Sequence, residues 1–429
     1  MQSLRRLCLV LSLAAAVGLI TGLIFGAPAW APCAVVAAVG LAIGLGALPS
    51  LKGYQYTAWI LAAVVAAMIY PAAFTHWGNL NLRNKWLLLG VVQLVMFGMG
   101  TQMSLHDFSG VFKTPRGVVV GIVCHFSVMP LVGYGLTRLF DFPPEIAAGV
   151  ILIGSCSSGL ASNVMAYIAR SNLVLSVTVT AVTTLCAPFM TPLLMKVLAG
   201  TLVEVKFMNM MVEIVKIVIV PIMAALLHDG LKRASERERG AVFAAAVAGA
   251  VALLALPAGG WAWLSLRCDA GTLLGVELSA FAIGAVVFGV LYHVVVQRFA
   301  AVDRLMPLAS MAGIVYFTTV TTAAGRENLL KVGVLLFLVS VIHNGAGYFL
   351  GYWLSRLAGL DKSSSRSVAF EVGLQNGGMA SGIAGAMGKL GTVGLAPAVF
   401  SPWMNISGSI LANFWSRRPV ADVNSPGKS

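Results

Sequence analysis

The sequence is dominated by long apolar segments that are separated by short polar loops. These segments run for roughly 17–25 residues, the length that a helix needs to cross the hydrocarbon core of a bilayer. Of all residues, 59% are hydrophobic and 10% are charged, whereas about 25% of the residues of soluble proteins are charged. A backbone in lipid has to satisfy its own hydrogen bonds, which restricts it to helices or closed barrels, and the alternating pattern of a membrane barrel is absent. We therefore predict an all-α, polytopic membrane protein whose partner is the lipid bilayer.

The apolar segments predict fourteen hydrophobic helices. Their expected ranges are 7–26, 31–48, 57–74, 86–104, 116–139, 145–169, 172–199, 208–228, 240–257, 271–297, 304–324, 330–355, 364–388 and 391–415. The polar residues 416–429 are expected to form a disordered cytoplasmic tail. The first helix resembles a signal peptide, but its apolar stretch of about 20 residues is longer than the usual 7–15 residues. We expect it to be retained, and its cleavage is the alternative.

The distribution of Lys and Arg predicts the orientation. If the amino terminus is cytoplasmic, the segments on that side hold most of the basic residues, including the loop 232–239 and the pair Arg417 and Arg418. This bias is typical of inner membrane proteins, and an even number of helices places both termini in the cytoplasm. The same distribution accounts for the formal net charge of +13 without a nucleic-acid partner.

Two of the predicted helices are interrupted by small and polar residues. The interruptions are GSCSSGLASN (154–163) and FEVGLQNGGMASG (370–382). Non-helical backbone at membrane depth is tolerated where it is buried in protein or lines a cavity, and paired broken helices in two halves of a chain indicate a transporter binding site.

The two interrupted helices hold the same place in two sets of five. The first set is 57–199, and the second combines 208–228 with 302–415, so that the fourth helix of each set is the broken one. Because a set of five is odd, the second set is inverted in the membrane relative to the first. We therefore predict inverted five-helix repeats, an extra amino-terminal helix pair at 1–50 and an inserted pair at 240–298.

Glu371 predicts a cation site within the second interruption. A carboxylate at the bilayer centre costs about 2.5–3.5 kcal/mol on insertion scales, and a hard cation that takes oxygen ligands would offset this cost. Gln375 lies one turn after Glu371 on the same helix face. Where the helix unwinds at the nearby glycines, the carbonyls of Val372 and Leu374 are further candidate ligands. The alternative is a hydrogen-bonded glutamate that only joins two helices.

The first interruption brings further oxygen donors. Ser162 and Asn163 follow the break, and Ser176 and Thr180 are spaced i,i+4 on one face of the next helix. Such residues also pack at membrane helix interfaces without binding anything, so the broken helix beside them is what favours a site.

These motifs resemble the signatures of the bile acid:sodium symporter family. The matching segments are MFGMGTQMSLHDF (96–108), GVILIGSCSSGLASNVMAYIARSNLVLSVTVT (149–180), EVGLQNGG (371–378) and NISGSILANFW (405–415). The resemblance covers 57–228 and 302–415. It implies a core of ten helices in two inverted repeats, with the broken fourth and ninth helices crossing at the centre, plus four helices extra to that core.

The resemblance also implies ligands for two sodium ions. Ser162, Asn163, Ser176, Thr180 and Glu371 match the first sodium site, and Glu371, Val372, Leu374 and Gln375 match the second. His125 stands where the family has a glutamine ligand of the second site. Since imidazole is a poor ligand for an alkali cation and titrates near neutral pH, we expect one or two sodium ions, with a proton as the alternative to the second.

The substrate region departs from the family pattern as well. Ser157, Ser158, Gly159 and Leu160 replace a Pro-Gly-Gly-Thr sequence, and Met404 replaces a histidine. The amino ends of the half-helices still offer N–H groups and a positive dipole end to an anion. The expected substrate contacts are Ser158, Gly159, Asn376, Gly377, Gly378 and Asn405.

The sequence thus predicts a sodium-coupled secondary transporter, a symporter of a small organic anion that works by alternating access. The alternative is a proton-coupled or uncoupled carrier that uses His125. We expect no catalytic residues and no organic cofactor, because no phosphate-binding loop and no HExxH-type constellation occurs. The identity of the anion and the oligomeric state, monomer or otherwise, do not follow from the sequence.

Overall fold

The fold is almost entirely helical in the computed structural model, which describes residues 2–48, 51–418 and 420. The helices are α1 (Gln2–Ile24), α2 (Trp30–Gly44), α3 (Gln55–Ile69), α4 (Lys85–Gly100), α5 (Pro115–Leu139), α6 (Pro144–Ser155), α7 (Ala161–Ile168), α8 (Leu173–Ala199), α9 (Phe207–Arg233), α10 (Glu236–Ser265), α11 (Ala270–Arg298), α12 (Ala301–Ala324), α13 (Arg326–Leu357), α14 (Lys362–Gly373), α15 (Gly377–Ala386) and α16 (Leu395–Ser416). Among the described residues, nine helices are long and apolar enough to cross a bilayer. The prediction of a helical, multi-pass membrane protein is confirmed.

Each predicted hydrophobic segment coincides with one helix or with one broken pair. Segment 145–169 is the pair α6 and α7, and segment 364–388 is the pair α14 and α15. The expected range 57–74 was too long, because α3 ends at Ile69, two residues before Pro71, and proline disfavours helix in the residue before it. The tail predicted at 416–429 lies largely outside the described residues.

Short elements between the helices were not predicted. The strands β1 (His76–Trp77) and β2 (Leu80–Asn81) form an antiparallel hairpin, and a helical segment follows α4 at Leu105–Lys113. In α10 the chain passes through a kink at Gly259, whose φ is 115°, a value that glycine adopts more readily than other residues. The helix therefore continues to Ser265, beyond the expected end at 257.

Side-chain caps define where α8 and α14 begin. Asn172 accepts a hydrogen bond from the Leu175 amide before α8, and Asp361 accepts one from the Ser364 amide before α14. Each cap satisfies one of the amide groups that a helix start leaves without a partner.

The helices pack into two bundles. One bundle, here called the panel, is formed by α3, α4, α9 and α12, since α12 packs against α3 and α4, and α4 packs against α9. The other, here called the core bundle, is formed by α5, α6, α7, α8, α13, α14 and α16, with the α5–α13 contact at its middle. The half-helix α15 packs against both α4 of the panel and α16 of the core bundle. The two broken helices therefore lie where the bundles meet.

The four extra helices attach to the outside of the panel. Helix α2 packs against α1 and α3, while α11 packs against α9 and α10. Phe97 of α4 makes edge-to-face contacts with Phe288 and Tyr292 of α11, at ring centroid distances of 4.9 and 4.7 Å. The inserted pair is thus fastened to the panel.

An ion pair within the membrane reinforces this attachment. Lys216 Nζ of α9 lies 3.3 Å from Glu213 Oε1, as the i,i+3 spacing suggests, and 2.6 Å from Glu277 Oε1 of α11. Only 8% of the Lys216 side chain is exposed. Glu277 therefore compensates a cation that is buried between the panel and the inserted pair.

Replacing Glu277 with alanine is expected to lower the stability of the folded protein. Removal of one partner from a fully buried pair costs about 3–5 kcal/mol. Because 39% of the Glu277 side chain is exposed, we expect a smaller loss of about 1–3 kcal/mol. Unfolding of the purified protein in detergent measures it. The matched control is Glu204→Ala, which removes an exposed pair with Lys206 and is expected to cost under about 1 kcal/mol. Equal losses of stability in Glu277→Ala and Glu204→Ala would contradict the expectation that burial makes the Lys216–Glu277 pair more important.

Candidate functional site

The two helix breaks contact each other directly. Ser158 and Gln375 form an isolated antiparallel bridge. The Gly159 amide donates to the Leu374 carbonyl at 3.0 Å, and the Asn376 amide donates to the Ser157 carbonyl at 2.9 Å. Backbone groups that each break removes from its own helix are therefore satisfied by the other break, as a water-poor interior requires.

Glycine is required for this close approach. A Cβ atom on Gly159 would lie 2.8 Å from the Gln375 carbonyl oxygen, and one on Gly377 would lie 2.0 Å from Ser401 Oγ of α16. The first of these contacts is to backbone, which cannot rotate away. Gly159 thus allows the two breaks to pair, and Gly377 allows the start of α15 to pack closely against α16.

Glu371 lies beside this crossing, near the end of α14, and is fully buried. Its Oε1 accepts a hydrogen bond from Ser176 Oγ at 2.5 Å, and its Oε2 accepts one from Thr180 Oγ1 at 2.8 Å. Asn163 Oδ1 of α7 lies 2.9 Å from Ser176 Oγ and 3.2 Å from Thr180 Oγ1. Ser162 Oγ lies 3.3 Å from Thr180 Oγ1. The structure brings together all five residues predicted for the first sodium site.

The cluster holds more oxygen lone pairs than hydrogens to fill them. Ser176 has a single hydroxyl hydrogen, and two acceptors, Asn163 Oδ1 and Glu371 Oε1, lie within reach of it. Thr180 is in the same position between Asn163 and Glu371. Ser162 directs its hydrogen to the Gly159 carbonyl at 2.7 Å. A buried carboxylate among surplus oxygens matches the ligand preference of a hard cation, so the residues fit a sodium ion.

The residues predicted for a second sodium site are close together but are bonded to one another. The Val372 carbonyl accepts from Gln375 Nε2 at 2.7 Å, and the Leu374 carbonyl accepts from the Gly159 amide. His125 contacts two carbonyl oxygens, that of Glu371 at 2.9 Å through Nδ1 and that of Cys156 at 2.8 Å through Nε2. Within the part of the chain that the structure describes, buried Gln375 Oε1 has no hydrogen-bond partner. The second set is therefore a less open cation site than the first.

The expected substrate contacts divide into two groups. Ser158, Gly159, Asn376, Gly377 and Gly378 all lie at the crossing, and Asn376 caps α15 by accepting from the Met379 amide at 2.9 Å. The amides of Gly159 and Asn376 are used in the pairing of the breaks, so these two N–H groups are not free for an anion, contrary to expectation. Asn405 on α16 is partly exposed and donates to its own helix at the Ser401 carbonyl.

Asn344 of α13 is a site residue that was not predicted. It is 1% exposed, and its Nδ2 donates to the Gly373 carbonyl at 2.8 Å, directly beside Val372 and Leu374. A side-chain amide in the middle of a long apolar helix indicates that the residue has a polar partner or a function. The sequence does not indicate which helix provides the partner.

Comparison with known proteins gives relatives over most of the chain. Residues 89–262 match the model of the sodium bile acid symporter family. The chain is 32% identical to the "Uncharacterized sodium-dependent transporter YocS" of Bacillus subtilis (strain 168), over 85% of this chain and 92% of that protein. It is 27% identical to the "Probable sodium/metabolite cotransporter BASS1, chloroplastic" of Arabidopsis thaliana, over 84% and 73% of the two chains. It is 28% identical to the human "Ileal sodium/bile acid cotransporter", over 67% and 65%.

A solved structure has the same type of fold. The sodium proton antiporter MjNhaP1 from Methanocaldococcus jannaschii, determined at pH 8, aligns with a TM-score of 0.50 and 14% identity, over 90% of this chain and 99% of that chain. This likeness concerns the helical membrane fold alone. From the sequence comparisons, the chain is a membrane transporter, not an enzyme, and it belongs to the sodium bile acid symporter family.

Proposed function

We propose that the protein is a sodium-coupled symporter that moves a small organic anion across the cell inner membrane, with both termini in the cytoplasm. The observation that supports this most directly is the surplus of oxygen atoms around buried Glu371. The names of the relatives, which describe sodium-dependent transport of metabolites or bile acids, support sodium as the coupling ion.

Sodium at this cluster would join three elements. Ser162 and Asn163 belong to α7, Ser176 and Thr180 to α8, and Glu371 to α14. The ion would neutralise the carboxylate and hold the crossing together. Sodium would therefore bind more tightly to the arrangement in which the three helices are in contact than to one in which they separate. The proposal includes one or two sodium ions, with the second near Gln375 and a proton at His125 as the alternative to it.

The anion is proposed to bind at the amino ends of α7 and α15. Helix starts carry a positive dipole end, and Gly377 and Gly378 begin α15 directly after its cap Asn376. The dipole rather than the Asn376 amide, which bonds the Ser157 carbonyl, would attract the anion. A Cβ on Gly378 would lie 3.1 Å from Met96 Cε of α4, so this position faces the panel. Rocking of the core bundle against the panel, as inverted repeats permit, would then expose the anion to alternate sides.

Sodium-dependent anion binding tests the proposal. Detergent-purified protein is mixed with bile acids, keto acids and other carboxylates in NaCl or in choline chloride at equal ionic strength, and the melting temperature is recorded. We expect at least one anion to raise it in sodium and not in choline, because a ligand that binds the folded state stabilises it and coupling is reciprocal. An anion that stabilises the protein equally in both salts would contradict coupling by sodium.

A proton-coupled or uncoupled carrier is the second candidate, favoured by the contacts of His125. Both ring nitrogens lie within 2.9 Å of carbonyl oxygens, whereas a neutral imidazole has only one N–H to donate. This candidate requires that proteoliposomes take up the anion in choline chloride. The uptake should depend on pH and should be lost in His125→Gln. Uptake that requires sodium and follows the same pH dependence in His125→Gln would exclude it.

A further inference from the structure

The last carbonyl groups of α14 each have a partner outside the regular helix pattern. A helix end leaves such carbonyls without intrahelical bonds, and here the end is buried. The Glu371 carbonyl contacts His125 of α5, the Val372 carbonyl accepts from the Gln375 side chain, and the Gly373 carbonyl accepts from Asn344 of α13. The end of α14 is thus held by side chains of two other helices, α5 and α13.

Asn344 is itself oriented by α16. Ser407 Oγ donates to Asn344 Oδ1 at 2.5 Å, which directs the amide nitrogen toward Gly373. The Tyr348 hydroxyl lies 3.3 Å from Ser407 Oγ and from the Met404 carbonyl. Because an amide that was turned around would place two oxygens against each other at Gly373, the Gly373 carbonyl sets which end of the amide faces it. The Ser407 hydroxyl, which also lies 3.1 Å from the Met404 carbonyl, holds the other end of the amide in place.

Close helix packing makes this contact possible. A Cβ on Gly347 of α13 would lie 2.9 Å from the Gly373 Cα, so α13 and the end of α14 approach through two glycines. The same end of α14 carries Glu371, two residues before Gly373. A shift of this turn therefore moves the carboxylate relative to Ser176 and Thr180 of α8.

The first broken helix is held by a similar contact between a side chain and a backbone carbonyl. His125 Nε2 contacts the Cys156 carbonyl at the end of α6. In each set of five helices, a polar side chain of the third helix contacts a carbonyl at the break of the fourth. His125 and Asn344 occupy equivalent roles, although one is a histidine and the other an asparagine.

We propose that Asn344 and Ser407 are positioning residues that set the sodium affinity of the Glu371 cluster. Neither side chain is among the oxygen ligands proposed for the ion. Asn344 fixes the turn that presents Glu371, and Ser407 fixes Asn344, which links α16 to the sodium site. The inference rests on the proposed function.

A sodium titration of the melting temperature tests this inference, with sodium chloride replacing choline chloride at constant ionic strength. We expect Asn344→Ala and Ser407→Ala each to raise the half-saturating sodium concentration about tenfold, the effect of one hydrogen bond to a buried group. Ser407→Thr keeps the hydroxyl and is expected to stay near wild type. The double variant Asn344→Ala/Ser407→Ala is expected to have the same half-saturating sodium concentration as Asn344→Ala alone, because the two side chains act in one network.

The control is Ser340→Ala in the same helix. Ser340 is buried, and its one hydrogen bond among the residues the structure describes is from its hydroxyl to the Leu336 carbonyl of its own helix. If wild type and Ser340→Ala respond to sodium but both network variants respond at the same concentration as wild type, the inference is wrong and the proposed function stands. A fall in melting temperature without a change in the half-saturating concentration would also overturn it. If Asn344→Ala does not fold, the half-saturating sodium concentrations of Ser407→Ala and Ser407→Thr test the inference instead. Absence of a sodium response in wild type would instead reject the proposed function.

Discussion

Replacing Glu371 with alanine is expected to abolish the stabilisation of the protein by sodium. At a sodium concentration of about 100 times Kd, the wild type should gain about 2.7 kcal/mol of apparent stability over choline chloride. The variant should gain none, because the carboxylate is the formal negative charge of the cluster and neutral oxygens alone hold a cation weakly. Thermal unfolding in the two salts at equal ionic strength measures the difference.

Glu371→Gln separates the charge from the hydrogen bonds. The amide oxygen can still accept from Ser176 or Thr180, whose hydroxyls bond the carboxylate. We therefore expect Glu371→Gln to fold and to lack the sodium response. The control is Glu213→Gln, which alters a membrane carboxylate that pairs with Lys216, and it should respond as wild type does. A sodium response that survives in both Glu371 variants would show that the ion binds elsewhere.

The two breaks could be predicted from the sequence because their residue types are out of place in lipid. Glycines and small polar residues interrupt the apolar segments at 154–163 and 370–382, and the chain leaves the helix between Ser155 and Ala161 and between Gly373 and Gly377. Glu371 was predictable for the same reason, since an acidic residue in a membrane segment needs a partner. The five residues predicted for the first sodium site were grouped by the family resemblance, and the fold places them in one hydrogen-bonded cluster.

Contacts between distant helices could not be predicted in the same way. Lys216 could be paired with Glu213 from the i,i+3 spacing, but its shorter contact is with Glu277, 61 residues later. Asn344 and Gly373 likewise meet only because α13 packs against α14. Periodicity shows which face of a helix is polar, whereas the partner of that face depends on how all the helices pack. The division into two inverted repeats remains a prediction, supported by the matching positions of the broken helices.

Gly159→Val is expected to disrupt the crossing itself. Its Cβ would lie 2.8 Å from the Gln375 carbonyl oxygen, and the further methyl groups would add contacts that only a movement of the backbone can relieve. Overpacking of this kind typically costs about 1–3 kcal/mol. Because the Gly159 amide also bonds the Leu374 carbonyl, the two breaks should separate, with loss of transport and of the sodium response.

Stability in choline chloride distinguishes this effect from the loss of a substrate contact. If Gly159 only touches the anion, Gly159→Val should abolish uptake and leave the melting temperature without sodium unchanged. If Gly159 permits the pairing of the breaks, the melting temperature should fall in both salts, and Gly159→Ala should cause a smaller fall than Gly159→Val. Gly345→Ala in α13 is the control, since among the described residues no atom beyond its chain neighbours and the nearby helix backbone lies within 4 Å of its added Cβ, and alanine favours helix over glycine by about 1 kcal/mol. Wild-type stability in Gly159→Val would mean that the crossing tolerates bulk, and the close pairing of Ser158 with Gln375 would then not be what holds the broken helices together.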